Sequence, residues 1–322
     1  MIKIAIIDSG ISSASSFENR VIGGKSVYAK DDGIYMGDDY SDCNGHGTKC
    51  AYVIQKYCES AFFFVLKVTQ GGTSFSSLYI LIEALKILIH MDIDVINISM
   101  SIIEKRENNE LNNILKILRA QHKIVVISVK NGKQESYPAN NENCIGVREE
   151  NLFEYKHRFI YRGKSKIQVV TKFYPVFVHD QNLRYGWFFG NSMATAYISG
   201  IIGNYIEKNG KENIEENIWN NVFHVDLNDH KKTPWTEEQI NLFREMNGLF
   251  EEFILDYQHD KEMIVMDKRC NRIVDTYGFL KECEKRLDVC VPYDQIENYH
   301  FYSIHTIVQF MYSLKYPSAL HF

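Results

Sequence analysis

The chain has 322 residues, enough for one large domain and a smaller one. Its hydrophobic content of 45% and aromatic content of 13% allow a sizeable core, and a net charge of −5 offers no electrostatic footprint for nucleic acid. Neither a polybasic tract nor an apolar run of about 20 residues occurs, so binding to a membrane surface or spanning one is not expected. Seven cysteines, without CxxC or Cys/His metal spacing, read as reduced thiols of a cytoplasmic protein.

In chain order, "KIAIID" (3–8) reads as a fully buried strand ending at Asp8, and "SGI" (9–11) as the turn after it. "DDGIYMGDDYSD" (31–42) is rich in carboxylates and reads as a solvated acidic loop; no metal or cofactor is assigned to it. "SDCNGHGTKCAYVIQKY" (41–57) is a glycine-rich turn entering a helix, with His46 at the junction. "AFFFVLKV" (61–68), "DVINISMS" (94–101) and "KIVVISV" (123–129) read as further buried strands. "SSLYILIEALKILIH" (76–90) and "LNNILKILRAQ" (111–121) read as the helices between them. This alternation predicts an α/β fold with a doubly wound, mostly parallel sheet.

"KIQVVTKFYPVFVHDQNLRYGWFFGNS" (166–192) reads as strands and turns that deliver Ser192 to the start of a long buried helix, 193–209. Chemistry in such sheets gathers at the carboxyl ends of the strands. Asp8 and Asn131 fall just there, and His46 and Ser192 each open a helix, so the four are expected to meet on one edge. Taken singly, each has a plain structural role. Asp8 suits a strand-end turn, His46 a helix start, Ser192 an N-cap and Asn131-Gly132 a turn. Taken together they supply a hydroxyl, a base, a carboxylate and an amide donor, the parts of nucleophilic acyl transfer, in the chain order Asp, His, Ser.

Three segments, "IAIIDSGI", "NGHGTKCA" and "GNSMATAYISG", resemble the aspartate, histidine and serine blocks of subtilisin-like serine proteases, in family order over roughly residues 1–205. The resemblance implies Asp8 as orienting carboxylate, His46 as general base and Ser192 as nucleophile. "VVISVKNG" with "YPA" resembles the segment that carries the oxyanion asparagine, which falls on Asn131. "DVINISMS" resembles the cleft strand, which makes Ser99, Met100 and Ser101 substrate-binding candidates, with Lys130 and Ser136 beside the primary pocket. It further implies an intracellular serine endopeptidase of narrow specificity that folds without a removable N-terminal domain, since the first strand begins at residue 3. A retained protease fold serving as a binding or scaffold protein is the alternative, and ligase or esterase chemistry would use the same acyl-enzyme.

Several positions depart from the family pattern. Tyr52 stands where the histidine-block helix has glycine, and Ala196 and Tyr197 where the serine block has proline and histidine. Lys130 precedes the asparagine where glycine is usual, and Ser101 stands where the cleft strand often has glycine.

The composition changes after about residue 230, which divides the chain into a catalytic domain, 1–232, and a helical domain, 233–322. "HKKTPWTEEQ" (230–239) opens a helix with a Thr-x-x-Glu-like start. The stripe of that helix is read as Ile240, Phe243, Leu249, Phe250, Phe253, Ile254 and Tyr257. Residues 275–314 read as a helix ending near Leu287, a bridge and a final helix. The pattern resembles the second half of acyl- and peptidyl-carrier domains, without the attachment serine, whose place falls near Ile273. An unrelated helical bundle fits equally. By association with carrier-related proteins, the resemblance suggests a leader peptidase acting on a ribosomally made peptide, with a partner protein bound through the C-terminal domain.

Overall fold

The structure is a computed structural model that describes residues 1–13, 18–69, 75–102, 107–150, 159–163, 165–172, 174–180, 182–211, 234–255, 266–267, 270–271, 273 and 275–317. Two compact units divide the chain. The first holds 1–175, 179–183 and 188–227, and the second holds 176–178, 184–187 and 228–322.

The first unit is an α/β fold built on a nine-stranded sheet. Its strands are β1 (Ile2–Asp8), β2 (Val21–Lys30), β3 (Gly33–Gly37), β4 (Ala61–Lys67), β6 (Val95–Ile98), β8 (Ile124–Ser128), β9 (Ile145–Glu150), β10 (Phe159–Tyr161) and β11 (Val169–Lys172). The order across the sheet is β10-β11-β9-β8-β6-β1-β4-β2-β3, parallel except for the two outermost pairs. The two-residue strands β5 (Phe75–Ser76) and β7 (Ser101–Ile102) pair separately, in parallel. The segment 94–101, read as one strand, is therefore two, with Ser99 and Met100 at the break.

Among the described residues, four helices cover the sheet: α1 (His46–Tyr57), α2 (Leu78–Ile89), α3 (Asn109–Ala120) and α4 (Asn191–Asn209). Helices α1 and α4 pack together, as do α2 and α3. Central strand β1 is buried on both sides. Ala5 and Ile7 belong to the core shared with Leu81, Leu85, Leu115 and Leu118, while Ile4 and Ile6, alternating with them, are equally inaccessible. This is why the first strand reads as an unbroken apolar run. Burying each such side chain is worth about 1.5–3 kcal/mol.

Connections from β1 and β6 leave toward opposite faces, α1 after the first and α3 after the second. The carboxyl ends of β1 and β6 thus flank a switch point, the place where α/β sheets open a crevice.

The loop expected over 31–42 is in part strand β3, paired antiparallel with β2. Its carboxylates have local partners. Asp32 accepts from Tyr35 Oη at 2.7 Å, Asp38 pairs with Lys25 at 2.5 Å, and Asp42 organises the start of α1.

The second unit contains the helices Glu237–Phe253, Thr276–Leu287 and Ile304–Lys315, begun by Thr236, Asp275 and Ser303 side chains that accept from backbone amides of the first turn. Its core joins Leu242, Met246, Leu249, Phe250, Phe279, Leu280, Phe301, Ile307 and Met311. The buried stripe of the first of these helices therefore runs through Leu242 and Met246, with Ile240 at its margin; Tyr257 lies outside the described residues. The unit is not wholly helical. It includes the two-residue strands β14 (Met266–Asp267) and β15 (Cys270–Asn271), and residues of β12 (Val176–His179) and β13 (Tyr185–Phe188). Ile273, near which a carrier's attachment serine would fall, is fully buried and bridges Ile254. Among the described residues no helix is long and apolar enough to cross a membrane.

Candidate active site

Asp8 is the last residue of β1 and is 2% exposed. A carboxylate this deeply placed needs donors. His46 Nδ1 lies 2.7 Å from its Oδ1, the Ser9 amide donates to the same oxygen at 2.7 Å, and the Cys50 thiol donates to Oδ2 at 3.7 Å.

The approach of His46 depends on the local chain. Asp42 gathers the turn before α1, accepting from the amides of Asn44, Gly45 and Thr48 and from the hydroxyls of Ser9 and Thr48. Asn44 Oδ1 accepts the His46 amide at 2.9 Å. Gly47 lets the first turn of α1 settle onto the end of β1. A Cβ there would stand 2.1 Å from Gly10 O and 3.2 Å from Asp8 Cβ.

The charge state of His46 follows from this geometry. Desolvation is the largest single influence and favours the neutral ring, but the Asp8 carboxylate, with contributions from Cys50 and the hydrogen bond to Asp8, outweighs it and holds the imidazolium pKa well above 6.5. The Cys50 thiol is pushed up by burial, and Asp8 adds to the effect. Asp8, His46 and Cys50 offer donor atoms within 4.8 Å of one another. Two of the three, Asp8 and His46, are already hydrogen-bonded to each other.

Ser192 is not the cap of α4. Gly190 holds the N-cap position at φ 90°, a left-handed value that favours glycine, and Ser192 follows in the first turn. Its Oγ donates to Ser99 O at 2.8 Å, and Ser99 Oγ returns a bond to Ser192 O at 3.2 Å. Among the described residues, Ser192 Oγ makes no hydrogen bond to His46. Asp8 and His46 are thus brought together directly, while Ser192 is tied to the end of β6.

A buried polar chain supports that tie. Asn97 Nδ2 donates to Ser99 Oγ at 2.9 Å, and Ser199, two turns along α4, donates to Asn97 Oδ1 at 3.0 Å. Asn191, 6% exposed, donates to Val129 O at 2.7 Å and accepts the Glu149 amide at 2.8 Å, while Glu149 Oε2 accepts the Gly190 amide. Sequence reasoning passed over Ser9, Asp42, Asn97, Asn191 and Ser199. The signal for Asn97 and Ser199 was a polar residue within an otherwise apolar buried strand or helix.

Asn131 is exposed, and its Oδ1 accepts the Asn191 amide at 3.3 Å, which places it one residue from Ser192 and leaves its Nδ2 as donor. No acceptor among the described residues receives the Ser192 amide, as expected in the first turn of a helix. Ser136 Oγ accepts the Lys130 amide at 2.9 Å, which brings those two residues together. Met100 is 5% exposed, within the core beside α2 and α3. Ser101 begins β7.

The family departure at Tyr52 has a packing role. Its ring meets His179 edge-on, with centroids 4.9 Å apart. Phe188, at the end of β13, meets His46 in the same manner at 5.5 Å.

An acid–histidine pair thus stands at the end of a central parallel strand, and Ser192 stands in the first turn of a buried helix. The subtilase family's sequence model matches residues 1–231, and the chain belongs to that family of serine peptidases. Among solved structures, a cold-adapted subtilisin-like serine proteinase superposes with a TM-score of 0.50 at 18% identity, over 65% of this chain and 77% of that one; the likeness shows the fold. Two others are the A-subunit of the AB5 toxin from E. coli, with a TM-score of 0.49 at 15% identity over 67% of this chain and 81% of that one, and the prenylagaramide maturation protease PagA, at 0.49 and 13% over 64% and 76%. A search of curated protein sequences finds no match.

Proposed function

We propose that this chain is a serine endopeptidase whose nucleophile is Ser192. The observation that carries the reading is the 2.7 Å contact between Asp8 Oδ1 and His46 Nδ1, which commits one ring nitrogen to the carboxylate and reserves Nε2 for proton transfer. Rotation of the Ser192 hydroxyl away from Ser99 O hands its proton to His46 as Oγ bonds to a peptide carbonyl carbon. The resulting oxyanion is held by the Ser192 amide and Asn131 Nδ2. The C–N bond then breaks, His46 returns the proton to the leaving amine, and water releases the acyl group from Ser192. Ser99 to Ser101, Lys130 and Ser136 line the substrate's path. The substrate is a peptide or protein.

The finer reading is a cytoplasmic leader peptidase for a ribosomally made peptide, with the C-terminal unit, carrier-like or otherwise, receiving the precursor or a partner protein. It is supported by that unit's having its own core and its own capped helices. The test is a fluorophosphonate probe, with mass spectrometry of candidate precursor peptides. Ser192 of the folded protein is labelled and a precursor is cut at one bond; folded protein that stays unlabelled and cuts nothing ends the endopeptidase reading.

The hydrogen bond from Ser192 Oγ to Ser99 O favours a second reading, in which the fold is a binding scaffold and the hydroxyl is held out of use. Ser192→Ala separates the two. A scaffold keeps its partner unchanged, whereas a peptidase loses product and retains substrate.

A further inference from the structure

Strand β3 ends the nine-stranded sheet, and among the described residues no strand pairs with its outer side. Every second residue of such a strand turns its amide and carbonyl outward, so the open side is a template for another strand. The middle of β3 is apolar and in contact with water. Ile34, Tyr35 and Met36 are 37%, 38% and 54% exposed.

The pairing with β2 divides these side chains between two faces. Ile34 lies opposite Ala29 and Met36 opposite Val27, which is 1% exposed within the core. Ile34 and Met36 therefore extend the buried face of the sheet past its rim. Tyr35 is on the other face, where its ring stacks on Tyr28 with centroids 6.2 Å apart and Lys30 Nζ lies 5.2 Å from its centre.

Two aspartate pairs bracket the strand, Asp31-Asp32 before it and Asp38-Asp39 after it, placed symmetrically about Tyr35. Lys25 pairs with Asp38 at 2.5 Å and Lys67 with Asp39 at 3.5 Å, yet the two aspartate side chains remain 89% and 72% exposed. Asp31 and Asp32 are exposed as well, Asp32 accepting the Tyr35 hydroxyl.

This symmetry selects the occupant. A second copy, paired antiparallel about Tyr35, would set Asp31 opposite Asp39 and Asp32 opposite Asp38. Like charges directly opposite each other destabilise a strand pair. A strand with lysine or arginine at both ends meets opposite charge at both.

We propose that β3 receives an extended segment of a partner protein as an added strand, with alternating apolar residues in its middle and lysine or arginine at each end. Backbone hydrogen bonds over the five residues of β3, about 17 Å of chain, supply the affinity. Ile34 and Met36 cover the apolar side chains of the segment, and the aspartate brackets set its register. The proposal goes beyond the protease reading and stands independently of it.

The test uses the full chain and the fluorescent peptide Lys-Arg-Thr-Val-Thr-Val-Thr-Arg-Lys, titrated at low salt and at about 0.15 M salt. One control peptide carries proline for both valines, and another carries glutamine for every basic residue. The basic peptide is expected to saturate the protein, and both controls to bind at least about tenfold more weakly. The double variant Asp31→Asn/Asp38→Asn is expected to weaken binding about tenfold. Hydrogen exchange slows at alternate amides of residues 33–37 when the peptide is bound. A peptide that does not saturate at low salt overturns the proposal, as does equal binding of the proline control, which would reduce the effect to unspecific charge attraction. Equal binding by the folded double variant, or unchanged exchange in β3, overturns it too. If the double variant does not fold, Asp31→Asn alone takes its place. A dimer in sedimentation that Met36→Lys dissociates would assign the edge to a second copy and overturn the partner reading.

Discussion

His46 Nδ1 sits 2.7 Å from Asp8 Oδ1, a carboxylate 2% exposed at the end of the central strand. Asp8 overcomes the desolvation of the ring and raises the imidazolium pKa well above 6.5. A general base works only when neutral, so the acid limb of the rate lies above the ordinary histidine value. In Asp8→Asn the limb moves to lower pH and kcat drops by about 10⁴. Labelling rates across pH for both proteins check this.

The same shift affects stability. The folded protein holds the His46 proton more tightly than the unfolded chain does. The stabilisation is complete below the unfolded value, about 6.5, and is lost as the pH rises through the raised folded value. Thermal melts over that interval are expected to show Tm falling for the wild type and changing less for His46→Gln.

Ser192→Ala removes the hydroxyl that donates to Ser99 O and little else. One hydrogen bond is worth about 0.5–1.5 kcal/mol, so the variant folds with a Tm a few degrees from the wild type. It takes no fluorophosphonate, which intact-mass measurement reads directly.

Asn131 Oδ1 accepts the Asn191 amide in the first turn of α4, and the residue is exposed. Asn131→Ala should lower kcat by about 10²–10³ with KM nearly unchanged, because the donor acts on the developing oxyanion and not on the ground-state carbonyl. A large rise in KM with kcat preserved would instead make Asn131 a binding residue.

Gly47 is where α1 meets β1. In Gly47→Ala the new Cβ would stand 2.1 Å from Gly10 O, so the helix start must move away from Asp8. About 1–3 kcal/mol of stability is lost to overpacking, and an active-site displacement of about 1 Å costs on the order of 10² in rate. Denaturant melts and kcat/KM measure the two effects separately.

The parts legible in the sequence share a physical reason. Strand β1 and helices α1 and α4 are buried on nearly every side, so their apolar runs announce them, and Asp8, His46 and Ser192 interrupt those runs at their ends. Strands β2 and β3 are hard to read because most of their residues are partly or fully exposed, and their glycines look like loop. The segment 94–101 reads as one strand because its composition does not change where the pairing does, after Ile98. In the helix Glu237–Phe253 the apolar residues occupy more than one face, and only packing selected Leu242 and Met246 for the core.

From the order of residues alone came the α/β class, the resemblance to subtilases, and the four candidate side chains at the ends of buried elements. These are local properties, set by period, burial and the chemistry of each side chain. Which partner each side chain holds was decided by tertiary structure. Examples are Asp8 with His46, and Ser192 with Ser99 and not His46. Those pairings join residues 38 and 93 positions apart, and no periodicity along a chain encodes distances of that kind.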